Sequence, residues 1–191
     1  MITNKTGLPV HGDDFYDRIN EQTRIWERLE TDNILLLAPR RVGKTSLLHR
    51  IRQVAPEHGR EPVFLDVQDK VSELGFVEKL FRTVAEIDRT VLRRLTKREV
   101  GRFFKRVRRL SLFGAVEVEF DEAAAEHWAD LAHALAEEMA RTEHRWLVLL
   151  DELPVFILAL LRSDPSGIRA RAFLNWLREV RLSYAADGRI R

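Results

Sequence analysis

The 191-residue sequence contains no cysteine, which excludes a disulfide framework and any thiolate metal site. Its start, Met1-Ile2-Thr3-Asn4-Lys5, lacks the apolar core of a signal peptide. A long hydrophobic run is missing too: the longest, residues 147–161, is interrupted by Asp151, Glu152 and Pro154 and is too short to span a bilayer. No membrane segment is expected, and a cytoplasmic location follows by default. The histidines His11, His49, His58, His127, His133 and His144 show no zinc spacing. No Gly-x-Ser-x-Gly elbow supports serine hydrolase chemistry. Internal repeats and low-complexity tracts are absent as well.

What is present suits one domain with a sizeable core: 45% hydrophobic and 32% charged residues over this length. Apolar spacing predicts helices over 13–30, 45–54, 71–95 and 122–141, a short one after Pro154 and a longer one over about 165–186. Apolar runs predict strands at 34–37, 62–67 and 146–151, and the alternation Val116-Glu117-Val118-Glu119-Phe120 predicts a half-exposed strand or hairpin arm. Strands alternating with helices imply an α/β fold with a parallel sheet flanked by helices.

The run Ile34-Leu35-Leu36-Leu37 leads into Ala38-Pro39-Arg40-Arg41-Val42-Gly43-Lys44-Thr45-Ser46. A strand, a turn and a helix with this spelling form a phosphate-binding loop. Polyphosphate carries dense negative charge, so its site offers successive backbone N–H groups and the positive end of a helix. Gly43 permits the close backbone approach, Lys44 reaches the terminal phosphates as a mobile point charge, and the Thr45 hydroxyl is a magnesium ligand. The motif's first glycine is replaced by Ala38, which takes positive φ less freely.

A second apolar run, Trp146-Leu147-Val148-Leu149-Leu150, ends in Asp151-Glu152. Ligands of open α/β sheets collect at the carboxyl ends of such strands. Asp151 is expected to hold magnesium, directly or through water, and Glu152 to orient and polarise an attacking water. The plainer role for the pair is to cap the helix that begins near Pro154. Asp66 and Asp69 follow the strand at 62–67, where a turn role competes with an approach to the site.

Together the run at 33–48, the earlier Asp14-Phe15-Tyr16-Asp17-Arg18, the acidic pair and Phe173-Leu174-Asn175-Trp176-Leu177-Arg178 resemble the archaeal-type ATPases. These belong to the STAND class of AAA+-related P-loop NTPases. The resemblance covers nearly the whole chain. It implies a P-loop NTPase fold, ATP and Mg2+ as cofactors, regulated hydrolysis, and switching linked to a homo-oligomer or a downstream effector. The loop corresponds to the family's Walker A motif and the acidic pair to its Walker B motif. Residues 14–18 are similar to the pre-loop box near the adenine, although Asp17 stands where many relatives have glycine. The family sheet also has a sensor strand between the loop strand and the acidic strand, followed by a helical lid and a winged helix. Here the sequence reaches Asp187-Gly188-Arg189-Ile190-Arg191 where that strand begins. The expectation is a partial P-loop ATPase domain over 1–191, the N-terminal portion of a longer ATPase. It comprises a pre-loop segment (1–31), the strand, loop and helix (33–54), a basic insert with a possible hairpin (89–122), and the acidic strand with its helices (146–191).

The basic insert carries Arg89, Arg93, Arg94, Lys97, Arg98, Arg102, Lys105, Arg106, Arg108 and Arg109 against Glu99 alone. Its local charge is +9 in a chain of net +2. Nucleic-acid contact is one reading of Arg89 to Arg109; the favoured one is a solvated helical face, or a protein-partner surface, with Val91, Leu92, Leu95, Val100, Phe103, Phe104, Val107 and Leu110 packing inward. Arg178 and Arg181 are read as a solvated face of the last helix. Two functions follow. One is an ATPase module whose hydrolysis to ADP and phosphate drives a conformational or assembly switch. The other is a nucleotide-dependent binding module with weak or no hydrolysis, gripping a partner through the basic stretch.

Overall fold

Parallel strands buried on both faces read as near-continuous apolar runs, and two such runs build the sheet. The computed structural model describes residues 18–37, 39, 42–97, 107–111, 117–120, 122–184 and 187–191. Its helices are α1 Ile19–Leu29, α2 Lys44–Val54, α3 Glu73–Ile87, α4 Arg89–Lys97, α5 Trp128–Ala140, α6 Leu153–Ser163 and α7 Ile168–Ser183. Its strands are β1 Glu61–Asp66, β2 Val107–Ser111, β3 Glu117–Phe120 and β4 Trp146–Asp151. β1 and β4 pair in parallel, from Glu61 opposite Trp146 to Asp66 opposite Asp151. β2 and β3 form a separate antiparallel hairpin with Arg109 opposite Glu119. The fold is α/β, and no described helix is long and apolar enough to cross a membrane.

Alternation along the strands feeds two cores. Val63, Leu65, Trp146, Val148 and Leu150 join a large core with α3, α5 and α7. Phe76, Phe156 and Phe173 interlock there, with Phe173 edge-on to the other two at 4.9 Å. Phe64, Leu147 and Leu149 join a smaller core on the opposite face, with Ile25, Trp26 and Leu29 of α1 and Leu47, Ile51 and Val54 of α2. Within the large core, the Trp146 indole N–H is satisfied by the Met139 carbonyl and the Thr142 hydroxyl, both at 2.9 Å.

Several predicted elements change shape. The long helix over 71–95 breaks at Asp88, whose backbone is extended (φ −133°) and whose carboxylate accepts the Thr90 N–H at 2.8 Å. Asp88 thus ends α3 with its backbone and caps α4 with its side chain. The helix over 122–141 opens as a 3-10 turn, Glu122–His127, before α5. The last helix starts at Ile168 because Asp164 draws in the N–H groups of Ser166 and Arg169, and Gly167 takes φ 72°.

The largest correction concerns the strand at 34–37: residues 32–37 form no strand. Ile34 and Leu36 pack on the smaller core, whereas Leu35 and Leu37 are 71% and 81% exposed. An apolar run becomes a strand only where a ladder partner satisfies its backbone, and none of the described strands pairs with it. The free edge of β4 is taken instead by the residues after Gly188. Ile190 bridges Trp146 in parallel, Arg189 accepts from the Trp146 N–H at 2.8 Å, and Arg191 accepts from Val148 at 2.6 Å. On the large-core face a cleft of about 130 Å³ is lined by Phe76, Val148, Leu150, Trp176, Val180 and Ile190, among others.

Of the basic insert, the described part behaves as an amphipathic face. α4 buries Val91, Leu92 and Leu95 and exposes Arg93 and Arg94. Arg98, Val100, Arg102, Phe103, Phe104, Lys105 and Arg106 lie outside the described residues.

Candidate functional site

α2 begins at Lys44, and its N-cap is Gly43 at φ 80° and ψ 28°. That left-handed conformation suits glycine, which has no Cβ to clash. A glycine also has no side chain to cap the first turn, and that turn carries no acidic residue. The helix therefore presents its positive end without a built-in carboxylate. Thr45 is half-buried on the first turn and Ser46 is buried. Lys44 folds back over the loop, its Nζ donating to the Pro39 carbonyl at 2.9 Å. Arg18 Nη2 donates to the Val42 carbonyl. Ala38, Arg40 and Arg41 lie outside the described residues, as do Asp14 to Asp17 of the pre-loop segment.

The short link after α2 decides where this helix end lies. The chain passes through a 3-10 turn, Ala55–His58, and Gly59, and Arg60 N–H bonds back to the Ala55 carbonyl at 3.0 Å before β1 starts at Glu61. α2 thus runs down the sheet and β1 runs back up. Eleven helical residues rise about 16 Å and a six-residue strand about 20 Å. The start of α2 and the carboxyl ends of β1 and β4 accordingly fall at the same end of the molecule.

Asp151 closes β4 at that end. It is 6% exposed, and its Oδ1 accepts the Glu152 N–H at 3.0 Å. Glu152 is exposed and takes φ 57°, a left-handed conformation unfavourable for a residue with a Cβ. Its backbone carbonyl accepts from Val155 and Phe156 to start α6, but its side chain makes no capping bond. The cap reading thus applies to the backbone of Glu152 and to the Asp151 carboxylate, while the Glu152 carboxylate stays exposed. Such strain commonly persists where a side chain has to be aimed.

Asp66 is a neighbour the motifs underrated. It pairs in register with Asp151, so two parallel strands end side by side in carboxylates. The signal was legible, because both apolar runs terminate in Leu-Asp. Asp66 also serves its turn: Oδ1 accepts the Gln68 N–H at 3.1 Å, and its carbonyl accepts from Lys79. Asp69 is a turn residue bound to Lys70 at 2.9 Å, a contact that holds its carboxyl below the ordinary range.

The far end of the sheet has a different character. Arg60 is 2% exposed; Nη2 donates to the Leu29 carbonyl at 2.9 Å, while Nε and Nη1 have no described partner. Burial lowers its pKa, and the nearby charge of Arg145 adds to that effect. Arg191 also reaches α1, donating to the carbonyls of Leu29 and Glu30 at 3.2 Å each.

Elsewhere the remaining candidates resolve into structure. His58 stacks on Trp26 at 3.9 Å, and His133 pairs with Glu179 at 3.3 Å. No group of three His, Cys, Asp or Glu side chains among the described residues is arranged to hold a metal ion. Trp146 and Trp176 are core residues, and Arg178 and Arg181 are exposed. No family model, curated protein or solved structure matches this chain.

Proposed function

We propose that the chain is an ATP-binding P-loop ATPase module of the archaeal-type, STAND-class kind, hydrolysing ATP to ADP and phosphate to drive a conformational or assembly switch. What supports the reading is Gly43, at positive φ, starting a helix whose short link to β1 sets its first turn toward the sheet end that carries Asp151 and Glu152. Gly43, Lys44, Thr45 and Ser46 are the phosphate donors, with Ala38, Pro39, Arg40, Arg41 and Val42 completing the loop. Lys44 leaves the Pro39 carbonyl for the terminal phosphates. Glu152, exposed and free of any capping bond, holds the water that attacks.

Thr45 and Asp151 supply the hard oxygen donors that magnesium takes, and magnesium is ordinarily held by one or two carboxylates together with substrate phosphates. When bound, it would neutralise charge on the transferring phosphoryl group. The edge of β4 is bridged by Ile190, and Leu35 and Leu37 are exposed beside the loop.

Paired variants test the reading. Lys44→Ala is expected to lose ATP binding, and Glu152→Gln to bind ATP but not turn it over. Equal turnover by Glu152→Gln and the unaltered chain would remove the catalytic assignment. ATP binding without turnover in the unaltered chain would favour the second function, a nucleotide-dependent binding module.

A further inference from the structure

Arg18 stands twenty-four residues before its partner in the loop. It immediately precedes α1 and takes φ 66°, so its backbone is held in an uncommon conformation at the helix start. Its Nη2 donates to the Val42 carbonyl, and a Cβ built on Gly43 would lie 3.8 Å from the same nitrogen. The guanidinium therefore rests against the Val42–Gly43 peptide. That peptide is trans, and a trans peptide directs its C=O and its N–H to opposite sides. Binding the carbonyl on one side turns the Gly43 N–H to the other. Gly43 is the N-cap of α2, so this N–H adjoins the donors that a helix start offers to an anion.

We propose that Arg18 is a positioning residue for the phosphate loop, a role that rests on the nucleotide reading above. Its guanidinium fixes the Val42–Gly43 peptide so that the Gly43 N–H faces a bound polyphosphate. In the structure Arg18 Nη2 serves a loop carbonyl, which makes Arg18 a positioning residue rather than a primary phosphate ligand in this proposal. Its own placement is secured by α1, whose Ile25, Trp26 and Leu29 are buried in the smaller core. A donor oriented before the ligand arrives spares the ordering cost of binding.

The test titrates inorganic pyrophosphate and a fluorescent ATP analogue against the full chain, with Lys44→Ala as the reference for a lost phosphate site. Arg18→Ala is expected to weaken both ligands by the same factor, roughly ten- to hundredfold, the range for a lost hydrogen bond to a charged group. Arg18→Lys, which keeps a long cationic donor, is expected to recover most of the affinity. Should Arg18→Ala fail to fold, Arg18→Gln carries the same expectation, being too short to reach Val42. Unchanged pyrophosphate affinity in Arg18→Ala overturns the proposal. So does loss confined to the ATP analogue, which would assign Arg18 to the nucleoside instead. If the unaltered chain binds neither ligand, the nucleotide reading itself fails and this one with it.

Discussion

The two faces of the sheet are built from different material. The large core locks aromatic rings from α3, α6 and α7 against one another, and Phe76, Phe81, Phe156 and Phe173 are all at most 1% exposed. The smaller core is mostly aliphatic, with Trp26 buried and Phe64 half-buried as its aromatic members, and at its margin Leu35 and Leu37 face solvent. The candidate phosphate donors belong to the smaller side, because α2 packs there. The lesson concerns division of labour. Interdigitated rings resist rearrangement, so they make a platform, while the thinly covered side carries the candidate phosphate loop.

Truncation on each side gives the sharpest contrast. Phe173→Ala empties the centre of the aromatic cluster and is expected to cost about 3–5 kcal/mol. Leu47→Ala, on α2, is expected to cost about 2–3 kcal/mol. In urea unfolding the first should show the larger loss. In nucleotide titration of the folded protein only the second should weaken binding, because it loosens the helix that offers the donors. Weakened binding by Phe173→Ala with none from Leu47→Ala would break the division.

Gly43→Ala comes next in size. At φ 80° an added Cβ is strained even though its nearest neighbour is 3.8 Å away. A loss of about 1 kcal/mol is expected, read as a lowered melting temperature together with weaker ATP binding. An unchanged melt would mean that the loop relaxes without cost.

The smallest effect lies at the turn between α6 and α7. The Ser166 hydroxyl, together with the Arg169 N–H, holds the Asp164 carboxyl below the ordinary carboxylate range. A depressed folded pKa contributes stability above the unfolded value and loses it as pH falls through the folded one. Asp164→Ala should therefore melt slightly below the unaltered chain at neutral pH, and the difference should close below about pH 4. A constant difference from pH 7 to pH 3 would assign the loss to geometry rather than charge.

The loop and the acidic strand were legible in the sequence because each depends on a local pattern: glycine before lysine at a helix start, and carboxylates after an apolar run. The two buried strands, and a parallel sheet, were legible for the same reason, since doubly covered strands are apolar throughout; which strands pair was not. The break at Asp88 was also within reach, because aspartate caps helices, but the apolar stripe runs through it and masked it. Residues 34–37 misled because β-structure is completed by a neighbour, which no local run encodes. The bond from Arg18 to Val42 and the backbone strain at Glu152 were invisible for a related reason. Each arises only once α1 and α6 are packed.

α1 spans about 16 Å over its eleven residues. At its far end the carbonyl of Leu29 is held by both Arg60 and Arg191, cations at the negative pole of the helix. At its near end stands Arg18, on the loop. Mechanically it is a beam anchored at the base of the sheet and resting on the loop at its tip. Its two ends thus join the base of the sheet to the loop through one rigid element, so the position of the tip is set by the packing of Ile25, Trp26 and Leu29.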